Sequence, residues 1–202
     1  MRPDPPEPWR GFLRDVDAVL PHAVSLHCLG GFALSVCYGL PRVTADIDVL
    51  AVVPGTDAAM LVRSAGRASP LHAKHRVCLD VVTVANYPDS YEDRMVDIFP
   101  GVFRRLRVMV LDPYDLALSK LERNAPHDRE DVFYLARVVP LDLAVLDERY
   151  RLEMRPYLGA PEREDLSLRL WIDAITERRR RSESDRGVGP GSGHITDPNS
   201  RR

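Results

Sequence analysis

The sequence lacks the features that define several protein classes. Its three cysteines, Cys28, Cys37 and Cys78, are odd in number and form no C-x-x-C pair. That argues against a disulfide framework or a paired zinc knuckle and leaves reduced, buried thiols. No run approaches the roughly 20 apolar residues of a membrane span. The opening MRPDPPEPWRGF has no apolar centre of a secretory signal, so the chain is expected in the cytoplasm and off the membrane. Basic excess is missing too: 28 Lys and Arg stand against 30 Asp and Glu. Coating of DNA is therefore not expected, because neutralising phosphates needs a basic face. No internal repeat is evident.

The chain does have enough apolar residues for one core, with 45% hydrophobic positions in 202 residues. Residues 1–8, mostly proline and charge, are expected to be a flexible arm, and 182–202, rich in Gly, Ser and Pro, a disordered tail. Between them, residues 9–111 read as an α/β core and 112–181 as a helical portion packed on it. The class is α+β, a mixed sheet flanked by helices.

Phe12, Leu13, Val16, Val19 and Leu20 recur at helical spacing and predict a helix from Trp9. A strand over 24–29, a Gly30-Gly31 turn and a helix over 32–38 closed by Gly39 and Pro41 follow. IDVLAVV at 47–53 predicts a strand covered on both faces, and Thr56 is placed to cap a helix through about Arg67. Strands are expected over 77–84 and 103–111, with a helix over 89–99 between them. Asp112-Pro113 and Pro126 start two helices, through YDLALSKLER and DREDVFYLARV. Segments 141–157 and 162–181 are amphipathic helices.

Asp46 and Asp48 are two apart on a strand, so their carboxylates share a face. Two such charges repel unless a cation neutralises them, and oxygen-only ligands favour Mg²⁺ or Mn²⁺ over zinc. Asp80 sits in an apolar strand, where burial without a partner is costly. Three acids on neighbouring strands suit a two-metal site for phosphoryl transfer. Gly30-Gly31 at a strand-to-helix turn lets backbone N–H groups approach an anion, of which triphosphate is the natural one. Each feature also has a plainer reading: solvated acids, a hydrogen-bonded structural aspartate, a turn chosen for packing. His72, His75 and Cys78 form an H-x2-H-x2-C series without an evident fourth zinc ligand. The arginines at 104, 105 and 107, and those from 178 to 181, read either as a guide for RNA or as solvated faces.

In order and spacing, Leu29-Gly30-Gly31, Asp46-Ile47-Asp48 and Asp80 resemble the DNA polymerase beta superfamily of nucleotidyltransferases. Arg42-Val43-Thr44-Ala45-Asp46-Ile47-Asp48 is similar to the R-x-[ST]-x-D-x-D of its abortive-infection toxin type, AbiEii-like. Lys120-Leu121 and Asp128-Arg129-Glu130-Asp131 are similar to further segments of those proteins. Gly31 departs from the serine common there, and Arg129 follows Asp128 where lysine more often precedes it. The resemblance implies a minimal nucleotidyltransferase fold. It also implies an enzyme moving a nucleoside monophosphate from a nucleoside triphosphate to a hydroxyl, RNA being one acceptor class, with pyrophosphate release. Asp46, Asp48 and Asp80 would be catalytic and hold the metal, and Gly30, Gly31, Arg42, Thr44 and Lys120 would bind nucleotide. Asp128 and Asp131 would orient Lys120 or assist the hydroxyl, although acids in a first helical turn are also favoured by the dipole alone. An antitoxin partner is implied as well. The alternative is a non-catalytic nucleotide- or partner-binding module of a toxin–antitoxin or defence system.

Overall fold

The computed structural model describes residues 4–42, 44–83 and 85–187. Phe12, Leu13 and Val16 line the buried side of α1 (Trp9–Val19). The described part of the expected N-terminal arm is packed: Pro5 is buried, and Arg10 Nε binds both Asp4 (2.9 Å) and the Pro5 carbonyl (2.9 Å). Arg14 also reaches Asp4 (3.4 Å), and the Trp9 and Arg10 N–H groups bind Pro6 O (3.1 Å each), so the start of α1 ties the segment down. Residues 1–3 lie outside the described residues.

β1 (Val24–Leu29) runs directly into α2 (Gly30–Tyr38), so the glycine pair is the helix's first turn, two residues earlier than expected. α2 stops at Gly39, whose φ of 71° returns its N–H to the carbonyls of Leu34 and Ser35. β2 (Asp46–Val53) then pairs antiparallel with β1. β3 (Cys78–Val81) lies parallel to β2, β5 (Leu106–Val110) parallel to β1, and β4 (Val96–Asp97) antiparallel to β5. The sheet order is β3-β2-β1-β5-β4. It is the mixed sheet of an α+β fold.

Every residue of β1 but Ser25 is buried, as befits a central strand covered on both faces. β2 corrects the expectation of double cover. Ile47, Val49 and Val52 are buried, whereas Asp46, Asp48 and Leu50 are half-open. Two neighbouring acids on one face are costly to seal from solvent, so this face stays accessible.

Other expectations fail where tertiary contacts outweigh local pattern. Thr56 caps nothing: a 3₁₀ turn, Gly55–Asp57, precedes α3 (Ala58–Ala65), and the Asp57 carboxylate binds His22 (2.7 Å) instead of capping. A short α4 (Pro70–His75) was not foreseen, although Ser69 caps it by accepting the His72 N–H (3.1 Å). The strand predicted over 77–84 closes at Val81, with Val84 outside the described residues. The helix predicted over 89–99 shrinks to a 3₁₀ turn, Tyr91–Arg94, because Arg94 is drawn to Asp115 and Glu153 and Val96 pairs with Val110.

α5 (Pro113–Leu118) is capped by Asp112, which accepts the Asp115 N–H (2.9 Å). It ends before the expected SKLER turn, where the Lys120 N–H binds Ala117 O (3.1 Å) and the Leu121 N–H binds Leu118 O (3.0 Å). That tighter winding carries Lys120 and Leu121 inward. α6 (Pro126–Val138) follows, then α7 (Leu143–Arg149), which passes into a π-helical turn, Tyr150–Met154, and a 3₁₀ turn, Arg155–Tyr157. α8 (Glu162–Gly187) runs beyond the expected end at Arg181, so 182–187 begin as helix, not as tail. Residues 188–202 lie outside the described residues. Leu116, Val132, Leu146, Leu168 and Trp171 belong to the same buried cluster as Leu26, Phe32, Ile47 and Val108. No described helix is long and apolar enough to cross a membrane.

Candidate active site

The site lies where β1 ends, α2 begins and the first residues of β2 pass beside them. The β1–β2 register shifts by one residue between His27 and Cys28, and this bulge sets Leu29 opposite Asp48. Gly30 follows at φ 72°, and a Cβ there would fall 1.9 Å from Asp48 Oδ2. Asp48 is in register with Asp80 on the parallel strand β3, and Asp46 with Cys78. The three aspartates named from the sequence therefore share one sheet face.

They do not close around one point. Among the described residues, no three His, Cys, Asp or Glu side chains stand together as a metal-holding cluster. Asp46 Oδ1 accepts from the Cys78 thiol (3.1 Å), while Arg67 Nη2 reaches Asp46 Oδ2 (3.2 Å) and Asp80 Oδ2 (3.9 Å). This guanidinium is a cation resting on two of the expected ligands. Among the described residues no cation pairs with Asp48: desolvation, then the charges of Asp80 and Asp46, raise its pKa, with Lys120 and Arg123 opposing. All-oxygen donors, mutual repulsion and a seated cation fit a hard divalent ion. The zinc series comes apart, with His75 on Asp15 (2.6 Å) and Cys78 on Asp46.

Above this face a cavity of about 140 Å³ is lined by Gly30, Asp48, Val82, Ser119, Lys120, Glu122 and Arg123, among others. A larger one, about 700 Å³, lies between α7 and α8, far in sequence from the acids. There Arg151 pairs with Asp147 and Arg155 with Asp165. The smaller cavity is the candidate site because the glycine turn and a strand acid meet in it.

Lys120 is buried, with Nζ 2.8 Å from Asp131 and 3.4 Å from Asp128. Arg42 joins Asp131 (2.7 Å), and Arg123 grips Asp128 through Nε (2.7 Å) and Nη2 (2.6 Å). Asp128 also accepts the Ala125 N–H at the start of α6 (3.1 Å). Asp128 thus stands in the first turn of α6 and beside Lys120 at once. Burial opposes its ionisation, yet Arg123 and Lys120 hold its pKa below the ordinary value.

Among the described residues, the Thr44 hydroxyl hydrogen-bonds no carboxylate. It donates to Asp46 O (3.2 Å) and accepts the Asp46 N–H (3.3 Å), shaping the entry to β2. At Gly31 a Cβ would meet Arg42 and Thr44 at 3.5 Å, ordinary contact. Arg104, Arg105 and Arg107 lie at the opposite end of β1 from Gly30, with Arg107 beside Ser25 and the Arg104 and Arg105 N–H groups on Asp17. Arg178 stacks on Phe133 (4.3 Å), Arg179 donates to Leu141 O (2.8 Å), and Arg181 pairs with Glu177 (2.8 Å). Reading the sequence missed Arg67, Glu122 and Arg123. Arg123 had a signal, three residues after Lys120 in a helical pattern; Arg67 had none.

Neither a curated protein nor a solved structure matches the chain. A family model does, over residues 13–177, a span that holds the glycine turn, the three aspartates and the Lys120–Asp131 corner. The chain belongs to the family described as "Nucleotidyltransferase of unknown function (DUF6036)".

Proposed function

We propose that the protein is a Mg²⁺- or Mn²⁺-dependent enzyme that moves a nucleoside monophosphate from a nucleoside triphosphate to a hydroxyl acceptor. The carrying observation is the in-register pair Asp48–Asp80, with Asp46 on the same face and Gly30 fitted against the Asp48 carboxylate. Asp46, Asp48 and Asp80 would hold the ion. Bound there, it supplies positive charge to the reacting phosphate oxygens. Gly30 and Gly31 offer backbone N–H groups at the first turn of α2 to the β- and γ-phosphates. The acceptor oxygen bonds to the α-phosphorus as the bond to the β-phosphate bridging oxygen breaks, and pyrophosphate leaves. Asp80, the open acid of the pair, takes the hydroxyl proton. The resemblance to AbiEii-like toxins makes an RNA, such as a transfer RNA end, the first acceptor to try, and an antitoxin the first partner.

Incubation with each labelled triphosphate, Mg²⁺ and total cell lysate identifies the labelled molecule. Asp48→Ala should keep the fold and abolish labelling. Transfer undiminished in that variant would sink the assignment. Arg67 on Asp46 and Asp80 supports a second reading, a non-catalytic module whose acids are permanently neutralised from within. Calorimetry showing nucleotide binding indifferent to Mg²⁺, with no labelled acceptor, favours that reading.

A further inference from the structure

We infer that Arg123 is a further nucleotide-binding residue, the side chain that grips the terminal phosphates, with Lys120 lending its charge from behind. This rests on the site being a nucleotide site. Two cations line the cavity above Gly30 and Asp48, and their environments differ. The Lys120 side chain is 5% exposed and is held between two buried carboxylates. The Arg123 side chain is 66% exposed. Its Nε and Nη2 are taken by Asp128, which fixes the guanidinium plane, while among the described residues no hydrogen bond involves Nη1. A planar fork anchored along one edge and open along the other suits a polyphosphate better than a buried ammonium does.

Charge supports the same assignment. In the relay Arg42–Asp131–Lys120–Asp128–Arg123, three cations face two carboxylates. His127 Nε2 stands 3.6 Å from Asp128 on the solvent side. Glu122 lines the cavity as well, its carboxylate occupied by the Asn86 amide (2.7 Å). Arg123 lines the same cavity as Asp48. Arg123 is therefore poised between the metal-side acid and the α6 corner.

The test is calorimetric titration of the full chain, in Mg²⁺, with inorganic tripolyphosphate, each nucleoside triphosphate and the matching monophosphates. Arg123→Gln keeps a donor for Asp128 without the charge, and Arg123→Lys keeps the charge without the fork. Arg123→Gln should weaken tripolyphosphate and triphosphate binding by about tenfold or more while leaving monophosphate binding within about twofold. Arg123→Lys should recover part of the loss. If Arg123 only braces Asp128, Arg123→Gln binds tripolyphosphate like the parent, or loses mono- and triphosphate affinity equally, and the inference is overturned. A parent chain that binds no triphosphate overturns the inference and the proposed function together.

Discussion

Gly30 meets two demands at once. Its φ of 72° lies in the left-handed region, which costs a residue with a Cβ about 1–2 kcal/mol. The same Cβ would intrude on the Asp48 carboxylate, at 1.9 Å. Gly31 carries neither burden, since a Cβ there meets only side chains at 3.5 Å. Gly30→Ala should therefore lower stability by about 2 kcal/mol and displace Asp48, abolishing transfer. Gly31→Ser should cost less stability than Gly30→Ala, since its Cβ meets only ordinary contacts, and restore the hydroxyl common in the resembled proteins. Denaturant titration beside the labelling assay checks both, and an active Gly30→Ala would show that the Asp48 carboxylate is not held there. The two glycines look alike in sequence. Only the strand crossing beneath them tells them apart.

At the scale of elements, the corner between α5 and α6 illustrates what periodicity does not contain. SKLER reads as more helix, yet the chain turns at Ser119 and delivers Lys120 to two acids of α6. The acids themselves were legible; that they bind a lysine inside the protein was not, because the contact depends on where α5 stops. Asp128 carries a consequence for pH. Its pKa is depressed in the folded chain, so it stabilises fully above the unfolded value, near 3.9. That contribution fades as pH falls through the lower folded value. Asp128→Asn should be less stable than the parent near pH 7, and the difference should shrink below about pH 4. Chemical denaturation across that range measures it; a difference independent of pH would mean the loss is one of packing, not of charge.

At the scale of the molecule, strand and helical portions share one buried cluster. Trp9 reports from α1 and Trp171 from α8, both within that cluster. The single-tryptophan variants Trp9→Phe and Trp171→Phe should unfold with the same midpoint by fluorescence and by circular dichroism, each corrected for its own stability. Separate transitions within one variant would show two independent units.

The class of fold, the strand bearing Asp48, the helix after Gly30-Gly31 (though not its first residue) and the helix starts at Pro113 and Pro126 were determined by sequence alone. Each is a local matter of side-chain period, backbone permissiveness or a missing N–H. Tertiary structure decided the rest: that Asp48 faces Asp80, that Arg67 sits on Asp46, that Lys120 is buried while Arg123 is open, and that 89–99 is not a helix. Those outcomes depend on register and on charges distant in sequence meeting across the fold, such as Arg94 with Asp115 and Arg42 with Asp131. Register and meeting partners exist only once the chain has closed on itself, so no window of the sequence contains them.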